Sequence, residues 1–344
     1  MKIFFFSILF LVPFTVHAAK KRPEANIEKR PAPPAAAAQL VLTGDRPNFC
    51  IAGSQSGKAF HGEAAFKSIV WKSDVVYLGE THDQPLDHAA QLEALKAMKI
   101  ARGYKIAVGF EMLSAKLQPV LDEYAAGRLT EADFLSRTDW KSEWGFDFSL
   151  YKPLFDFVIA NKLRALALSV PKEVTARIAG AGLEGLTPGE RQFLPEKVEI
   201  TRHQKYNDYL KASFTEQGNS STGKTAALDN YLASVAASNE GMGGRIAAFL
   251  AENPGYAVLV IAGNDRVIYN AAVPASVKSR IKGVRQASFF TEDAVECPVT
   301  MPKEHKDLAN YIWYINHTPE RAPAMPATST ATLAPSAPAA EPGK

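Results

Sequence analysis

The stretch Val75-Val76-Tyr77-Leu78-Gly79-Glu80-Thr81-His82-Asp83 passes from four consecutive apolar residues to three ionisable side chains within four positions. A continuous, rather than alternating, apolar run predicts a strand buried on both faces. Residues 106–110, 163–170 and 257–262 share this character. Between the runs the period changes. Leu86, Ala89, Ala90, Leu92, Leu95 and Met98 fall largely on one helical face, with Gly103 as the stop. Leu117, Val120, Leu121 and Tyr124 do the same, with Gly127 as the C-cap. Thr130 followed by Asp133 fits a helix start, and residues 153–160 read as a further helix with Pro153 in its first turn. Strand alternating with helix predicts an α/β fold: a mainly parallel or mixed sheet with helices on both faces. The polar stretch 183–244 adds a helical insertion in the second half, with glycine and serine around 218–223 marking a loop.

The flanks are of another kind. Met1-Lys2 is followed by an uncharged run from Ile3 to Val16 and then by Val16-His17-Ala18-Ala19. That run is shorter than the roughly 20 residues a bilayer helix needs. A charged start, a short apolar core and a small-residue exit predict a cleavable signal peptide over 1–18. No cysteine lies near the cleavage site for lipid attachment, so the expected location is periplasmic or secreted. Residues 19–44 are rich in Pro, Ala and Lys, and 319–344 in Pro, Ala, Ser and Thr, so both are expected to be flexible. Between them, 45–318 is expected to form a single α/β domain. A net charge of +3 with no basic stripe gives no ground for nucleic-acid binding. The two cysteines, Cys50 and Cys297, can form one disulfide in an oxidising compartment; the alternative is two buried thiols.

Parallel strands bring their C-terminal ends to one edge of the sheet, where ligands of such folds gather. There the first strand leads into Glu80 and His82, with His88 beyond, and the second ends in Phe110-Glu111-Met112. A carboxylate at the end of a buried strand is costly unless paired, ligated or hydrogen-bonded. Glu80, His82, His88 and Glu111 therefore suit a divalent metal or acid–base chemistry, the alternative being structural hydrogen bonding.

Several motifs carry a more specific signal. Tyr77 to Asp83 with His88 and Gln91, and Gly109-Phe110-Glu111-Met112 with Gln118-Pro119 and Leu121-Asp122, resemble motifs of the ChaN family. So do Trp144-Gly145-Phe146-Asp147-Phe148 with Leu150-Tyr151 and Pro153, Pro171-Lys172-Glu173, Gly185-Leu186-Thr187-Pro188 and Ala262-Gly263-Asn264. The resemblance is collinear and runs from about Trp71 to Val273. It implies haem as cofactor, with its iron, and a part in haem and iron acquisition, with an outer-membrane or periplasmic uptake component as partner. It also implies a homodimer holding two haems face to face, with tyrosine as iron ligand. Tyr151 is the best match for that tyrosine. Trp144 and Phe148, with Trp140, Phe146 and Phe155, would give the porphyrin an apolar wall. Arg137, Lys141 and Lys152 are near enough in sequence to meet propionates.

The wider superfamily includes Tiki proteases and erythromycin esterase-like enzymes, so a metal-dependent hydrolase using Glu80, His82 and Glu111 is the alternative function. A scaffold that has lost both activities is the third. Two departures bear on this choice. Gly263-Asn264-Asp265-Arg266 has arginine where the superfamily places histidine, and a guanidinium cannot ligate a metal. Asn239-Glu240-Gly241-Met242-Gly243 lacks the tryptophan and one carboxylate of a family segment, and its glycines are expected to weaken a helix. Both count against hydrolysis. Gly218 to Thr225 matches the letters of a phosphate-binding loop, but no apolar strand precedes it.

Overall fold

Apolar runs with β-branched residues become strands, and among the described residues the strands assemble into one eight-stranded sheet. A computed structural model describes residues 49–60, 63–216, 225–294 and 300–316. The strands are β1 (Phe49–Gly53), β2 (Ala59–Phe60), β3 (Val75–Leu78), β4 (Ile106–Ser114), β5 (Arg164–Ser169), β6 (Ala257–Ile261), β7 (Gln286–Ala294) and β8 (Tyr311–Asn316). Their spatial order is β2-β1-β8-β7-β3-β6-β4-β5. Every neighbouring pair from β8 to β5 is parallel, and β1 is antiparallel to both β2 and β8. The sheet is thus mixed and mostly parallel, as expected.

The helices are α1 (Glu63–Lys72), α2 (Pro85–Arg102), α3 (Gln118–Ala125), α4 (Glu131–Thr138), α5 (Trp140–Glu143), α6 (Phe148–Ala160), α7 (Lys172–Ala181), α8 (Pro188–Arg191), α9 (Gln204–Glu216), α10 (Thr225–Glu252) and α11 (Val273–Arg280). They cover both faces. Val76, Leu78, Val108 and Phe110 point to one face, where they pack with Leu95 of α2 and Phe155 of α6. Val75, Tyr77, Val258 and Val260 point to the other, against Met242 and Ile246 of α10 and Val277 of α11. Alternation along each strand feeds two cores, which is why the central runs are apolar without a break.

Several expectations need correction. β5 alternates between exposed, buried and half-buried positions instead of being buried on both faces, because it lies at the end of the sheet with β4 as its strand partner. Its free edge is closed by side chains: Gln118 Nε2 donates to Ala165 O at 2.9 Å, and Gln118 Oε1 accepts from Ala167 N at 2.8 Å. Arg245 Nε then donates to Ala167 O at 2.7 Å. Pro153 lies inside α6, which starts earlier because the Asp147 side chain accepts from Ser149 N at 2.8 Å. The glycines at 241, 243 and 244 do not interrupt α10, which runs unbroken from Thr225 to Glu252. A Cβ at Gly241 would lie 2.3 Å from Val170 Cγ2, and one at Gly243 would lie 2.2 Å from Ser276 Oγ. These glycines set how closely α10 approaches the end of β5 and α11.

The signal peptide 1–18, the segments 19–44 and 319–344, the loop 218–223 and Cys297 lie outside the described residues. Cys50 is buried on β1 and is disulfide-bonded. Among the described residues no helix is long and apolar enough to cross a membrane.

Candidate functional site at the C-terminal edge of the sheet

β6 lies between β3 and β4, so the segments leaving these three strands converge. Glu80 follows β3, Glu111 lies in the C-terminal half of β4, and Gly263 follows β6. Backbone bonds fix the meeting, with Asn264 N donating to Glu80 O at 3.0 Å.

Glu80 is buried, and both its carboxylate oxygens are held. Oε1 accepts from the Tyr151 hydroxyl at 2.7 Å and lies 2.8 Å from His82 Nδ1; Oε2 accepts from Gln91 Nε2 at 2.7 Å. Gln91 sits one turn after His88 on α2, and its Oε1 is 3.2 Å from His88 Nδ1. His88 Nε2 is 3.1 Å from His82 O, so this imidazole supports the loop from below. It is buried, whereas the His82 side chain is 30% exposed. Of the two histidines, His82 alone is presented outward.

The His82 ring stands 4.6 Å from Trp144 and 5.0 Å from Phe146, centroid to centroid. Its other edge lies over bare backbone, since a Cβ at Gly263 would be 2.9 Å from His82 Cε1. Nε2 has no hydrogen-bond partner among the described residues. Burial acts to lower the pKa of His82, but the hydrogen bond and charge of Glu80, helped by Glu111 and Asp265, outweigh it and raise the value above 6.5.

Glu111 belongs to a second network. Its Oε2 accepts from Gly263 N at 2.8 Å and its Oε1 from Arg266 Nε at 2.6 Å. Arg266 Nη1 donates to Asn239 Oδ1 at 3.3 Å, and Asn239 Nδ2 donates to the Tyr206 hydroxyl at 3.0 Å. Burial opposes the charge of Arg266, yet Asp265 and Glu111 outweigh it and hold the guanidinium above its ordinary pKa. Glu80 and Glu111 share an edge as expected, but Glu111 is committed to an arginine. Among the described residues no group of three His, Cys, Asp or Glu side chains is arranged to hold a metal.

Tyr151 is fully buried on α6, and its hydroxyl donates to Glu80. Burial first, then the charge and hydrogen bond of Glu80, hold its phenol far above tyrosine's ordinary pKa. Trp144 and Phe146 flank His82, whereas Phe148 packs into the core with Trp140, Phe134 and Phe155. The aromatic segment therefore divides between wall and core. Arg137 pairs with Glu123, and Lys152 with Glu131 and Asp156. Asp87 and Asn239 are functional-site neighbours that sequence reasoning missed. Asp87 at the start of α2 accepts from Thr81 N at 2.8 Å and from Thr291 Oγ1 at 3.0 Å, anchoring the loop that carries His82. An acidic residue in a first helical turn is a common feature, and it says nothing of this loop.

In mostly parallel α/β sheets ligands gather outside the C-terminal ends of the strands, and there this fold places the carboxylate-anchored imidazole of His82. The chain belongs to the family described as haem-binding uptake, Tiki superfamily, ChaN, whose model matches residues 69–277. Its fold is similar to that of ChaN of Campylobacter jejuni, a structure of cofacial haem binding, with a TM-score of 0.59 and 16% identity over 78% of this chain and 97% of that one. A mutant of the erythromycin esterase EreC in its open conformation aligns with a TM-score of 0.41 and 13% identity over 71% of this chain and 77% of that one. The type III effector HopBA1 aligns with a TM-score of 0.42 and 10% identity over 80% and 99%. No curated protein sequence matches the chain.

Proposed function

We propose that this chain is an exported haem-binding protein of haem and iron acquisition, and that His82 is its ligand to the iron. The observation that carries the choice of ligand is the orientation of His82: Nδ1 is held by Glu80 at 2.8 Å, which leaves Nε2 for a metal. Ligating histidines ordinarily give their other ring nitrogen to a carboxylate or carbonyl in this way. Trp144 and Phe146 beside the ring provide apolar surface for a porphyrin. Haem bound there would supply a ferric centre able to take a neutral imidazole. Tyr151 is the alternative ligand; in this arrangement its hydroxyl steadies Glu80, and Glu80 steadies His82. Export by the 1–18 segment, a homodimer and hand-over to an outer-membrane or periplasmic uptake component complete the proposal. Family membership supports the haem-binding part of this reading. A hydrolase using a divalent metal on Glu80, His82, His88 and Glu111 is less well supported, because Arg266 occupies Glu111.

The test is titration of ferric haem into the purified protein, followed by absorption and electron paramagnetic resonance. A saturable complex with imidazole-type spectra is expected, lost in His82→Ala and kept in Tyr151→Phe, with both variants shown to melt cooperatively. Loss of the spectrum in Tyr151→Phe alone would transfer the ligand role to tyrosine. Absence of saturable binding in the wild type would reject haem and favour a non-catalytic scaffold.

A further inference from the structure

On the sheet face away from Tyr151, residues 197–203 run as an irregular strap beside α9, α10 and α11. Under the strap lie two cavities of about 550 and 630 Å³. They share Thr201, Ala271, Ala275 and Ser279, so they adjoin and are treated together as one groove. Each volume is within the usual range for small-molecule sites, on the order of 300–1,000 Å³. The lining of the first is mostly apolar: Leu210 from α9, Leu232, Val235 and Ala236 from α10, and Ala272 from the turn before α11. Ile200 of the strap also lines it and adds a half-exposed aliphatic side chain to the lining.

The charges around the groove do not cancel. Lys197 pairs with Glu199, and Glu240 pairs with Arg280. Arg202 at the first cavity acts on Glu199 only from beyond contact distance, and Lys278 borders the second; neither makes a close ion pair among the described residues, so cations outnumber carboxylates around the groove. An apolar trough bordered by two cations outside any close ion pair matches a molecule with an apolar body and an anionic head. A guanidinium presents a fork that fits a carboxylate in particular.

We propose that this groove binds an amphipathic carboxylate of the long-chain fatty-acid class, with the chain along α10 and the head at Arg202 and Lys278. The site is separate from the haem site proposed above. Tyr206 and Asn239 line it and connect it by hydrogen bonds to Arg266 at the sheet edge.

The experiment is a fluorescence titration of the full chain with cis-parinaric acid and, in parallel, with its uncharged methyl ester. Saturable binding of the acid is expected, with the ester at least about tenfold weaker. Changing Arg202→Gln and Lys278→Gln together should weaken the acid by about tenfold and leave the ester unchanged. Both side chains are exposed, so this variant should keep the wild-type melting behaviour. Ala236→Phe should close the trough to both probes, and His82→Ala should bind the acid as the wild type does. No saturable binding, equal affinity for acid and ester, or an unaltered acid affinity in the charge variant would each overturn the proposal.

Discussion

Arg266 donates from Nε to Glu111 Oε1 at 2.6 Å, and this bond ties the end of β4 to the segment after β6. Both partners are largely buried, the side chains being 19% and 6% exposed. Removing one member of such a pair leaves an uncompensated buried charge and costs about 3–5 kcal/mol. Arg266→Met should therefore destabilise the protein strongly in urea unfolding. Adding Glu111→Gln should restore a large part of the loss, because the stranded charge is gone. Equal stability of the single and double variants would show that the pair does not organise this edge.

Gly241→Ala tests the close approach of α10 to the end of β5. Alanine gains about 1 kcal/mol of helix propensity over glycine. Against that, its Cβ would meet Val170 Cγ2 at 2.3 Å, and overpacking of this kind costs about 1–3 kcal/mol. Net destabilisation is expected, read as a lower Tm, with recovery when Val170→Ala is added. A Gly241→Ala protein that melts higher than wild type would mean that the helices yield easily.

Asp87 sets a pH dependence. Burial raises its pKa from 3.8 to about 6, against the lowering effect of its bonds from Thr81 and Thr291; Asp293 adds to the rise and His88 opposes it. Its Oδ1 has no hydrogen-bond partner among the described residues. The folded state thus holds a proton that the unfolded chain releases near 3.8. Stability from this group is present at low pH and is lost as pH rises towards about 6, by up to roughly 3 kcal/mol. Asp87→Asn should flatten the fall in unfolding free energy across that window. A variant whose pH profile runs parallel to wild type would remove Asp87 as the cause.

Two further expectations concern export. Mass spectrometry of the protein from its native cell should find the mature chain beginning at or near Ala19; an intact Met1 on most molecules would reject cleavage. Thiol labelling of the denatured, unreduced protein should find no free cysteine, and reduction should reveal both Cys50 and Cys297. Two reactive thiols before reduction would exclude a bridge between them.

β3, β4 and β6 were legible because each is central and buried on both sides, so its sequence is an uninterrupted apolar run. β7 was not, because Gln286-Ala287-Ser288-Phe289-Phe290-Thr291 spends its polar residues on specific partners: Ser288 on Asn270 and Asn310, and Thr291 on Asn264 and Asp87. At the site, Glu80, His82 and His88 could be grouped from their spacing, and Glu111 from its place at a strand end. The Glu111–Arg266–Asn239–Tyr206 network spans four separate segments and leaves no local pattern. Tyr151 was selected by motif, yet its hydroxyl meets Glu80 across 71 residues, a contact that no periodicity encodes.

Gln118 does for β5 what a neighbouring strand would do: it donates to Ala165 O and accepts from Ala167 N. Exposed strand edges are templates for runaway pairing between molecules. Here the backbone groups that an incoming strand would seek are already taken, and Arg245 holds the carbonyl of Ala167 as well. At its other end the sheet stops in β2, only two residues long, which offers little for a recruit to grip. Among the described residues, both margins of the sheet are therefore poor templates for pairing with a strand of another copy.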